Sequence, residues 1–383
     1  MVLIVRQWAF LCKRTLLVQA GSVGYKEAMR TLLTARLAND AESTVLIADG
    51  LKDLSTHLGG YGRSVVWVFD TNTAKLFKQL PPSHVVLESG ESTKNFASLE
   101  RIISMALDEG LASDGRIIGF GGGVVCDLAG FAASIYMRGC KLTLVPTTLL
   151  AMVDASLGGK TAIDYQGVKN IVGSFYPASE ILISVDVLRT LNEREYLNGL
   201  GEVLKHALLS ADDTLHRFVI THKNEILSRD TAILNRLVEL SLRIKLEYLE
   251  QDPTEQKGIR QMLNLGHTFA HALESTFHFG GAFSHGAAVA WGTCRALEAG
   301  VSLGITDRAW ADGAIKLFRT YGYEIDYRIG RGDWISFREH LLKDKKRLDG
   351  KLFFVLLEGQ GRGVLKTLDT TLIQQLVIAK PTF

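Results

Sequence analysis

Hydrophobic residues between about Ser43 and Val185 form short runs that alternate with stretches of helical periodicity. Five of these runs are predicted to be strands, because β-branched residues dominate them and turn residues bound them. They are Val45–Ile47, Val65–Phe69, Ile117–Phe120, Leu142–Val145 and Ile181–Val185. Strands that alternate with helices predict a wound, mainly parallel α/β sheet.

The pattern changes after Asp186, where long helical segments such as Thr231–Leu249 and Trp310–Tyr321 dominate and one β-like run, Leu352–Leu357, interrupts them. The predicted fold is therefore a Rossmann-like α/β domain over residues 37–187, followed by a mostly α-helical domain over residues 188–383. Residues 1–36 are predicted to be an N-terminal extension of unknown role, since basic residues precede the first acid, Glu27.

The composition and charge of the chain exclude some classes of function. The net charge of +2 gives no electrostatic footprint for nucleic acid. No apolar run approaches the roughly 18 residues that span a bilayer, which predicts no membrane partner. The four cysteines are scattered without a CxxC pair, which favours the reducing cytoplasm. The acid-poor leader leaves organellar transit open as an alternative.

A glycine run, Gly121–Gly123, leaves one predicted strand and enters a predicted helix. Consecutive glycines let backbone N–H groups approach a pyrophosphate at a helix N-terminus. The run is not the GxGxxG fingerprint, and tight turns also use glycine. Asp70 follows another strand and is a candidate for binding a ribose or base, or else an ordinary turn residue.

A second group of residues has the chemistry of a metal site. His267 and His271 share one helix face at i and i+4, and His285 follows them. Glu202 lies much earlier, in a helix predicted to begin at Gly199 and to carry Lys205 and His206. One carboxylate and two imidazoles suit catalytic Zn²⁺, although packed histidines are commoner than ligands. Glycines beside His267 and His285 leave room for close backbone approach.

Several lysine and arginine residues lie at positions that do not follow the pattern of a solvent-exposed helix face. Lys160 follows Gly158–Gly159 in a largely apolar run, and Lys169, Lys245 and Arg260 lie further along the chain. Surface lysines usually mean only a solvated face, but such a set would suit a substrate that bears phosphate and carboxylate.

Long motifs occur in a fixed order from Gly121 to Glu274. They are GGGVVCDLAGFAASIYMRG, VPTTLLAMVDASLGGKTAID, KNIVGSFYP, GLGEVLKHA and LNLGHTFAHALE, with DKK following at 344–346. This series resembles the dehydroquinate synthase family of sugar phosphate cyclases, from about Ser43 to the C-terminal region. The resemblance implies conversion of a phosphorylated seven-carbon sugar acid into a carbocycle by transient oxidation with NAD, β-elimination of phosphate and intramolecular aldol closure.

Carried over motif by motif, the resemblance implies three sets of site residues. The metal ligands, for Zn²⁺ with Co²⁺ as the alternative, are Glu202, His267 and His285. The NAD contacts are Asp70, Asn72, Glu91, Lys94, Gly122, Gly123, Asp127, Thr147, Thr148, Lys160, Lys169, Asn170, Thr190, Leu191 and Glu195. The catalytic and substrate-binding residues are Arg138, Asp154, Lys160, Lys169, Asn170, Lys205, Lys245, Glu255, Arg260, Asn264, His271, Lys345 and Lys346. Arg138 would reach the phosphate site of the neighbouring subunit, which implies a homodimer.

Three departures from the family pattern carry expectations. Cys126 replaces the usual glycine before the aspartate of the glycine run and is expected to crowd the pyrophosphate turn. Ala287 replaces a customary outer-shell glutamate, a loss expected to weaken metal binding about 10–100-fold. The spacing from Glu255 to Arg260 is one residue longer than usual.

Other functions stay open at this point. An aminodehydroquinate synthase would share nearly all of these residues, whereas deoxy-inosose cyclases commonly carry an acid at the position of Asn264. Metal-dependent polyol dehydrogenases share the two-domain architecture but release net NADH and need no phosphate cradle. A non-catalytic homologue is the remaining alternative.

Overall fold

A computed structural model of the chain describes residues 29–62, 64–277, 283–343, 347–348 and 351–378. The chain divides into two compact units, Met1–Asn192 and Glu193–Phe383, so the division falls a few residues after the predicted boundary. The first unit is built on a mainly parallel sheet and the second is mostly helical. The predicted fold class is therefore confirmed.

The first unit contains a seven-stranded sheet. Its strands are β1 (Arg30–Arg36), β2 (Glu42–Ile47), β3 (Val65–Asp70), β4 (His84–Leu87), β5 (Arg116–Gly121), β6 (Lys141–Pro146) and β9 (Glu180–Ile183). Their order across the sheet is β1-β2-β9-β6-β5-β3-β4, and every pairing except β1 with β2 is parallel. All five strands predicted from the sequence lie in this sheet.

Strand β1 corrects the prediction that residues 1–36 form an extension outside the domain. Arg30–Arg36 pairs antiparallel with β2, and Leu32, Leu33 and Ala35 are buried. The basic residues among residues 1–36 suggested an extension, although a short apolar run within them forms the edge strand of the sheet. The remaining part of the predicted extension, residues 1–28, lies outside the described residues.

Helices and a hairpin complete the first unit. They are α1 (Leu51–Leu58), α2 (Phe96–Asp108), α3 (Gly123–Ile135), and the hairpin of β7 (Lys160–Tyr165) with β8 (Val168–Phe175). Helix α3 packs closely on β5, since a Cβ added at Gly119 would lie 2.8 Å from the Cβ of Ala129. Strands β3 and β5 are buried almost throughout, as expected of parallel strands covered on both faces.

The second unit is a helical array with two short hairpins. Its helices are α4 (Glu193–Leu209), α5 (Thr214–Thr221), α6 (Lys223–Leu227), α7 (Thr231–Gln251), α8 (His267–Thr276), α9 (His285–Ser302), α10 (Arg308–Thr320), α11 (Trp334–Lys343) and α12 (Thr370–Val377). The hairpins pair β10 (Arg347–Leu348) with β11 (Lys351–Leu352) and β12 (Phe354–Gly359) with β13 (Arg362–Lys366). Over the described part of the chain, no helix combines the length and apolar character needed to cross a bilayer.

The two long predicted helices of this unit are α7 and α10. Aspartate caps begin both of them: Asp230 accepts a hydrogen bond from Ile233 N at 3.0 Å, and Asp307 accepts one from Trp310 N at 2.8 Å. Helix α4 begins at Glu193, earlier than the predicted start at Gly199. The glycines that suggested a helix start lie inside α4, and one of them allows a close helix contact described below.

Candidate active site

The three predicted metal ligands come from three helices of the second unit. Glu202 lies in α4, and His267 and His285 are the first residues of α8 and α9. Helices α4 and α9 touch backbone to backbone: a Cβ at Gly201 would lie 2.3 Å from the carbonyl oxygen of Gly286. This contact brings the residue after Gly201 and the residue before Gly286 to one place.

A second glycine contact positions His267. A Cβ at Gly292 of α9 would lie 2.2 Å from the carbonyl oxygen of Gly266, the residue before α8. Gly266 has a φ of 78°, and a Cβ there would also meet Thr293 N at 2.5 Å. The expectation that glycines beside the histidines permit close backbone approach therefore matches the packing of all three helices.

The donor atoms of the three residues face a common point. Glu202 Oε1 lies 3.4 Å from His267 Nε2 and 3.5 Å from His285 Nε2, and the candidate ligand atoms all lie within 4.8 Å of one another. Glu202 is fully buried, and its other oxygen forms an ion pair with Lys205. Burial raises the pKa of Glu202, but Lys205 and His285 outweigh this and hold the pKa below its usual range.

The outer nitrogens of both histidines are hydrogen-bonded. His267 Nδ1 lies 3.2 Å from the carbonyl oxygen of Leu265, and His285 Nδ1 lies 3.3 Å from Glu274 Oε2. Because Nδ1 of each ring meets one of these acceptors, Nε2 is the nitrogen that each histidine would offer to a metal beside Glu202. One carboxylate oxygen and two such nitrogens fit Zn²⁺ or Co²⁺.

Glu274 is a residue that the sequence argument missed. Ala287 was expected to leave the metal site without an outer carboxylate, but His285 has one from Glu274 of α8. Glu274 belongs to the motif LNLGHTFAHALE, seven residues after His267, so it shares a helix face with His267 and His271. That spacing was the signal available in the sequence.

Three basic side chains predicted to bind substrate are buried in the second unit. Lys205, Lys245 and Arg260 expose 1%, 5% and 4% of their surface. Buried cations are rare without a defined role, because removing a charge from water is costly. His271 lies beside two of the predicted metal ligands, with its ring centroid 5.6 Å from that of His267 and 6.4 Å from that of His285.

The longer loop before Arg260 is held by Asp252. The buried carboxylate of Asp252 accepts hydrogen bonds from the backbone N–H groups of Gln256 (2.7 Å), Lys257 (3.0 Å) and Arg260 (3.1 Å). Glu255 lies within this loop at a φ of 60°, and its Oε1 accepts a hydrogen bond from Asn264 Nδ2 at 3.1 Å. The extra residue therefore leaves Glu255, Arg260 and Asn264 in one local structure.

Asp252 supports a prediction on stability. Replacement by alanine is expected to lower the free energy of unfolding by about 3 kcal/mol, because three backbone N–H groups lose a charged acceptor. Burial raises the pKa of Asp252, but the backbone N–H groups outweigh this and lower it. The contribution is therefore complete above the ordinary pKa of 3.8 and is lost as the pH falls through the lower folded-state pKa.

Chemical denaturation at pH 7 and at decreasing pH checks this prediction. Asp230→Ala is the matched control, because Asp230 caps α7 through one hydrogen bond and should contribute only about 1 kcal/mol. A cost for Asp252→Ala no larger than that of the control would contradict the role assigned to the loop aspartate.

The predicted NAD contacts of the first unit lie mostly at the carboxyl edge of the sheet. Asp70 ends β3, Gly122 follows β5 and Thr147 follows β6, and these three strands are neighbours. Thr147 N donates to the carbonyl oxygen of Gly121 at 2.9 Å. Ligands of wound α/β sheets bind at this edge, where successive loops meet.

The glycine run fits a pyrophosphate. The N-cap residue of α3 is Gly122, which has no side chain to accept a hydrogen bond from the first N–H groups of the helix. A Cβ added at Gly122 would lie 3.2 Å from Thr148 Cγ2, in the space beside this terminus. Cys126 is turned inwards, 1% exposed, with its thiol 3.8 Å from the carbonyl oxygen of Gly121. The thiol is therefore buried against the turn, and its effect on a bound pyrophosphate stays a prediction.

A cluster of charged residues lies at α3, the helix that follows the glycine run. The buried Lys94 forms an ion pair with Asp127 and a hydrogen bond with the side chain of Asn170, and Lys169 lies 3.7 Å from Glu91. Burial lowers the pKa of Lys94, but Asp127 and Glu91 raise it further than burial lowers it. Burial also raises the pKa of Asp127, to about 6, in spite of Lys94. The structure thus brings five of the predicted cofactor contacts together.

Asp164 is a second residue that the sequence argument missed. Its Oδ1 accepts the backbone N–H of Asn170 at 2.8 Å, and its own N–H donates to the carbonyl oxygen of Lys94 at 2.7 Å. Asn170 has a φ of 51°, a conformation that a neighbouring hydrogen-bond acceptor helps to hold. Only the fold of the β7–β8 hairpin shows this contact.

The other predicted residues have simpler surroundings. Asp70 Oδ1 accepts the N–H groups of Asn72 (2.9 Å) and Thr73 (2.8 Å), which is the ordinary turn geometry. Within the first unit, Asp154 lies in the helical turn Ala151–Ala155, Lys160 begins β7, and Thr190 and Leu191 follow β9. Glu195 lies in the first turn of α4 in the second unit, where its Oε2 accepts a hydrogen bond from Asn198 Nδ2 at 3.2 Å. Lys345 and Lys346 lie outside the described residues.

Comparison with known proteins identifies relatives of this chain. Residues 84–198 match the model of the 3-dehydroquinate synthase N-terminal domain, and residues 199–347 match that of the C-terminal domain. The chain is 35% identical to a 3-dehydroquinate synthase of Francisella tularensis, over 82% of this chain and 90% of that protein. It is 38% identical over 73% of its length to a bifunctional 3-dehydroquinate synthase/phosphatase of Fusobacterium nucleatum, and it spans 41% of that longer protein.

Solved structures support the fold. A 2-deoxy-scyllo-inosose synthase, crystallised with carbaglucose-6-phosphate, NAD⁺ and Co²⁺, superposes with a TM-score of 0.78 at 23% identity. The match covers 91% of this chain and 98% of that one. At this level of identity the superposition establishes a shared architecture, while the sequence relatives above identify the family.

Proposed function

Because the chain belongs to the 3-dehydroquinate synthase family, we propose that it converts 3-deoxy-D-arabino-heptulosonate 7-phosphate into 3-dehydroquinate and inorganic phosphate. The observation that carries this proposal is the cluster of Glu202, His267 and His285 in a unit that also buries Lys205, Lys245 and Arg260. A metal site accompanied by several buried cations suits a substrate that bears both a phosphate and a carboxylate.

Two bound groups supply chemistry that side chains lack. NAD⁺, held by the glycine run and the cluster around Lys94, would accept and return a hydride within each turnover. A divalent metal, Zn²⁺ or Co²⁺, held by Glu202, His267 and His285, would polarise the hydroxyl that is oxidised. We propose both assignments from the fit of these residues to the two groups.

Three buried basic residues of the second unit bind and orient the substrate. Lys205, Lys245 and Arg260 would pair with its anionic groups, and their burial makes each charge-assisted hydrogen bond stronger than it would be in water. Holding the chain of the sugar acid in one conformation lowers the entropic cost of ring closure. His271, beside the metal ligands, is placed to relay a proton.

Asn264 favours this substrate over that of a deoxy-inosose cyclase. Its Nδ2 donates to Glu255 Oε1 at 3.1 Å. An acid at position 264 would set two carboxylates against each other, whereas the amide satisfies Glu255 and leaves its own oxygen available as an acceptor. We therefore propose that the pair belongs to the subsite of the dehydroquinate type.

We also propose a homodimer in which Arg138 contributes to the phosphate site of the other subunit. Met137 and Arg138 have φ values of 50° and 68°, and this strained turn presents both side chains to the surface. Ile135 and Met137 are 44% and 55% exposed, and such apolar exposure around an arginine is typical of a surface that is covered in an assembly.

The test is an assay of phosphate release from the heptulosonate phosphate with NAD⁺ and Zn²⁺ present. Metal-dependent release that EDTA abolishes is expected, and glucose 6-phosphate should give none. Release from glucose 6-phosphate in place of the sugar acid would move the assignment to a deoxy-inosose cyclase. Accumulation of NADH with a polyol would move it to a dehydrogenase.

A further inference from the structure

Glu274 is a buried carboxylate whose position suggests a defined task. It is 6% exposed, it lies in α8, and its Oε2 is 3.3 Å from His285 Nδ1. On the opposite edge of the same imidazole, Nε2 lies 3.5 Å from Glu202 Oε1. His285 is thus set between an outer carboxylate and the carboxylate of the candidate metal site.

The two histidines of the site differ in the acceptor that their outer nitrogen meets. His267 faces the neutral carbonyl oxygen of Leu265, whereas His285 faces the charged carboxylate of Glu274. When Nδ1–H donates a hydrogen bond to a carboxylate, Nε2 becomes a stronger electron-pair donor to a metal, and the orientation of the ring is fixed. His285 needs this more, since its side chain is 29% exposed against 11% for His267.

The location of His285 in its helix adds a second reason. Like His267 at the start of α8, it is the first residue of its helix, the 18-residue α9, where the helix dipole places partial positive charge. A divalent cation beside that terminus is disfavoured electrostatically, and a buried carboxylate next to His285 offsets this field. The N–H of the next residue, Gly286, is satisfied separately by Asn198 Oδ1 at 2.6 Å.

We propose that Glu274 is a positioning residue that holds His285 in the Nδ1–H tautomer and thereby sets the affinity and geometry of the bound metal. The proposal rests on the metal site assigned under the proposed function. It explains how the site keeps an outer carboxylate although position 287 is alanine.

Metal affinity measured without turnover tests this role. The purified protein, stripped of metal, is titrated with Zn²⁺ against a chromophoric chelator, and separately with Co²⁺ to record its visible absorption. Glu274→Gln, which keeps the shape but not the charge, is expected to weaken Zn²⁺ binding about 10-fold, and Glu274→Ala about 100-fold. Both should change the Co²⁺ spectrum, because both remove the carboxylate charge next to His285 Nδ1 and the alanine variant also releases the ring. Glu274→Asp retains the charge and should recover part of the affinity.

Glu298→Gln is the matched control. Glu298 lies in the same helix as His285 and is a part-buried carboxylate, but it pairs with Arg295 (2.9 Å) and Arg328 (3.3 Å) away from the cluster. This variant is expected to lower stability while leaving Zn²⁺ affinity and the Co²⁺ spectrum unchanged. The thermal unfolding of each metal-free variant separates stability from metal binding.

The outcomes separate the inference from the proposed function. If the unaltered protein binds Zn²⁺ and Glu274→Gln binds it equally well with the same Co²⁺ spectrum, the role of Glu274 is wrong and the metal site stands. If the unaltered protein binds neither ion, both are wrong. If Glu274→Ala fails to fold, the comparison of the glutamine and aspartate variants decides.

Discussion

Replacement of Glu202 by glutamine is expected to weaken Zn²⁺ binding by more than about 100-fold and to remove turnover. The loss should exceed the 10–100-fold typical of an outer-shell partner, because we propose Glu202 as the anionic member of the ligand set itself. The amide also leaves Lys205 buried without its counter-ion, which costs about 3–5 kcal/mol of stability. Chelator competition with zinc analysis, phosphate release and chemical denaturation on the same preparation measure the three effects.

A control separates the site from the general loss of a carboxylate. Glu239 of α7 pairs with the exposed Arg236 and Arg243, so Glu239→Gln should cost less than about 1 kcal/mol and leave metal binding intact. Full zinc occupancy with normal turnover in Glu202→Gln would show that the three residues do not form the metal site.

Replacement of Gly286 by alanine is the second change with a large expected effect. The added Cβ would lie 1.9 Å from the carbonyl oxygen of Asn198, so α4 and α9 must separate. We expect a loss of about 3 kcal/mol or more in the free energy of unfolding, at the upper end for overpacked sites, because the obstacle is backbone rather than a flexible side chain. Since the same contact positions Glu202 and His285, zinc affinity should fall as well.

Gly313→Ala is the matched control for this helix glycine. Gly313 lies in α10, where a Cβ would meet nothing within 4 Å. Alanine there should stabilise the protein by about 0.5–1 kcal/mol through helix propensity alone. Denaturation and zinc titration of both variants check the pair of predictions. Equal stabilities for the two variants would contradict the close contact of α4 with α9.

The sequence was most informative where a pattern reflects local physics. The runs around Val65–Phe69 and Ile117–Phe120 became the buried strands β3 and β5, because a parallel sheet covered on both faces requires continuous apolar residues. Helix α7 was predicted from its periodicity, and the structure adds the Asp230 cap at its start. The predicted metal ligands were grouped from motifs, and the structure brings their candidate ligand atoms together.

The features that sequence reasoning missed depend on contacts between distant segments. The glycines of GLGE suggested a helix start. Gly201 instead lies in the middle of α4, where a side chain would collide with the backbone of α9. The contact of Asp164 with Asn170 depends on the fold of the β7–β8 hairpin. The contact of Glu274 with His285 joins two helices, so the spacing of Glu274 from His267 indicated a shared helix face but not this partner. Strand β1 was not predicted, because the basic residues around its short apolar run indicated an extension instead.

The measurement that tests the proposed function most directly is the amount of 3-dehydroquinate formed per NAD⁺. Metal-loaded protein receives the heptulosonate phosphate in large excess over NAD⁺, and dehydroquinate, phosphate and NADH absorbance are followed together. We predict equal amounts of dehydroquinate and phosphate, many product molecules per NAD⁺, and no accumulation of NADH. Product limited to one molecule per NAD⁺, with NADH rising in step, would contradict the proposal.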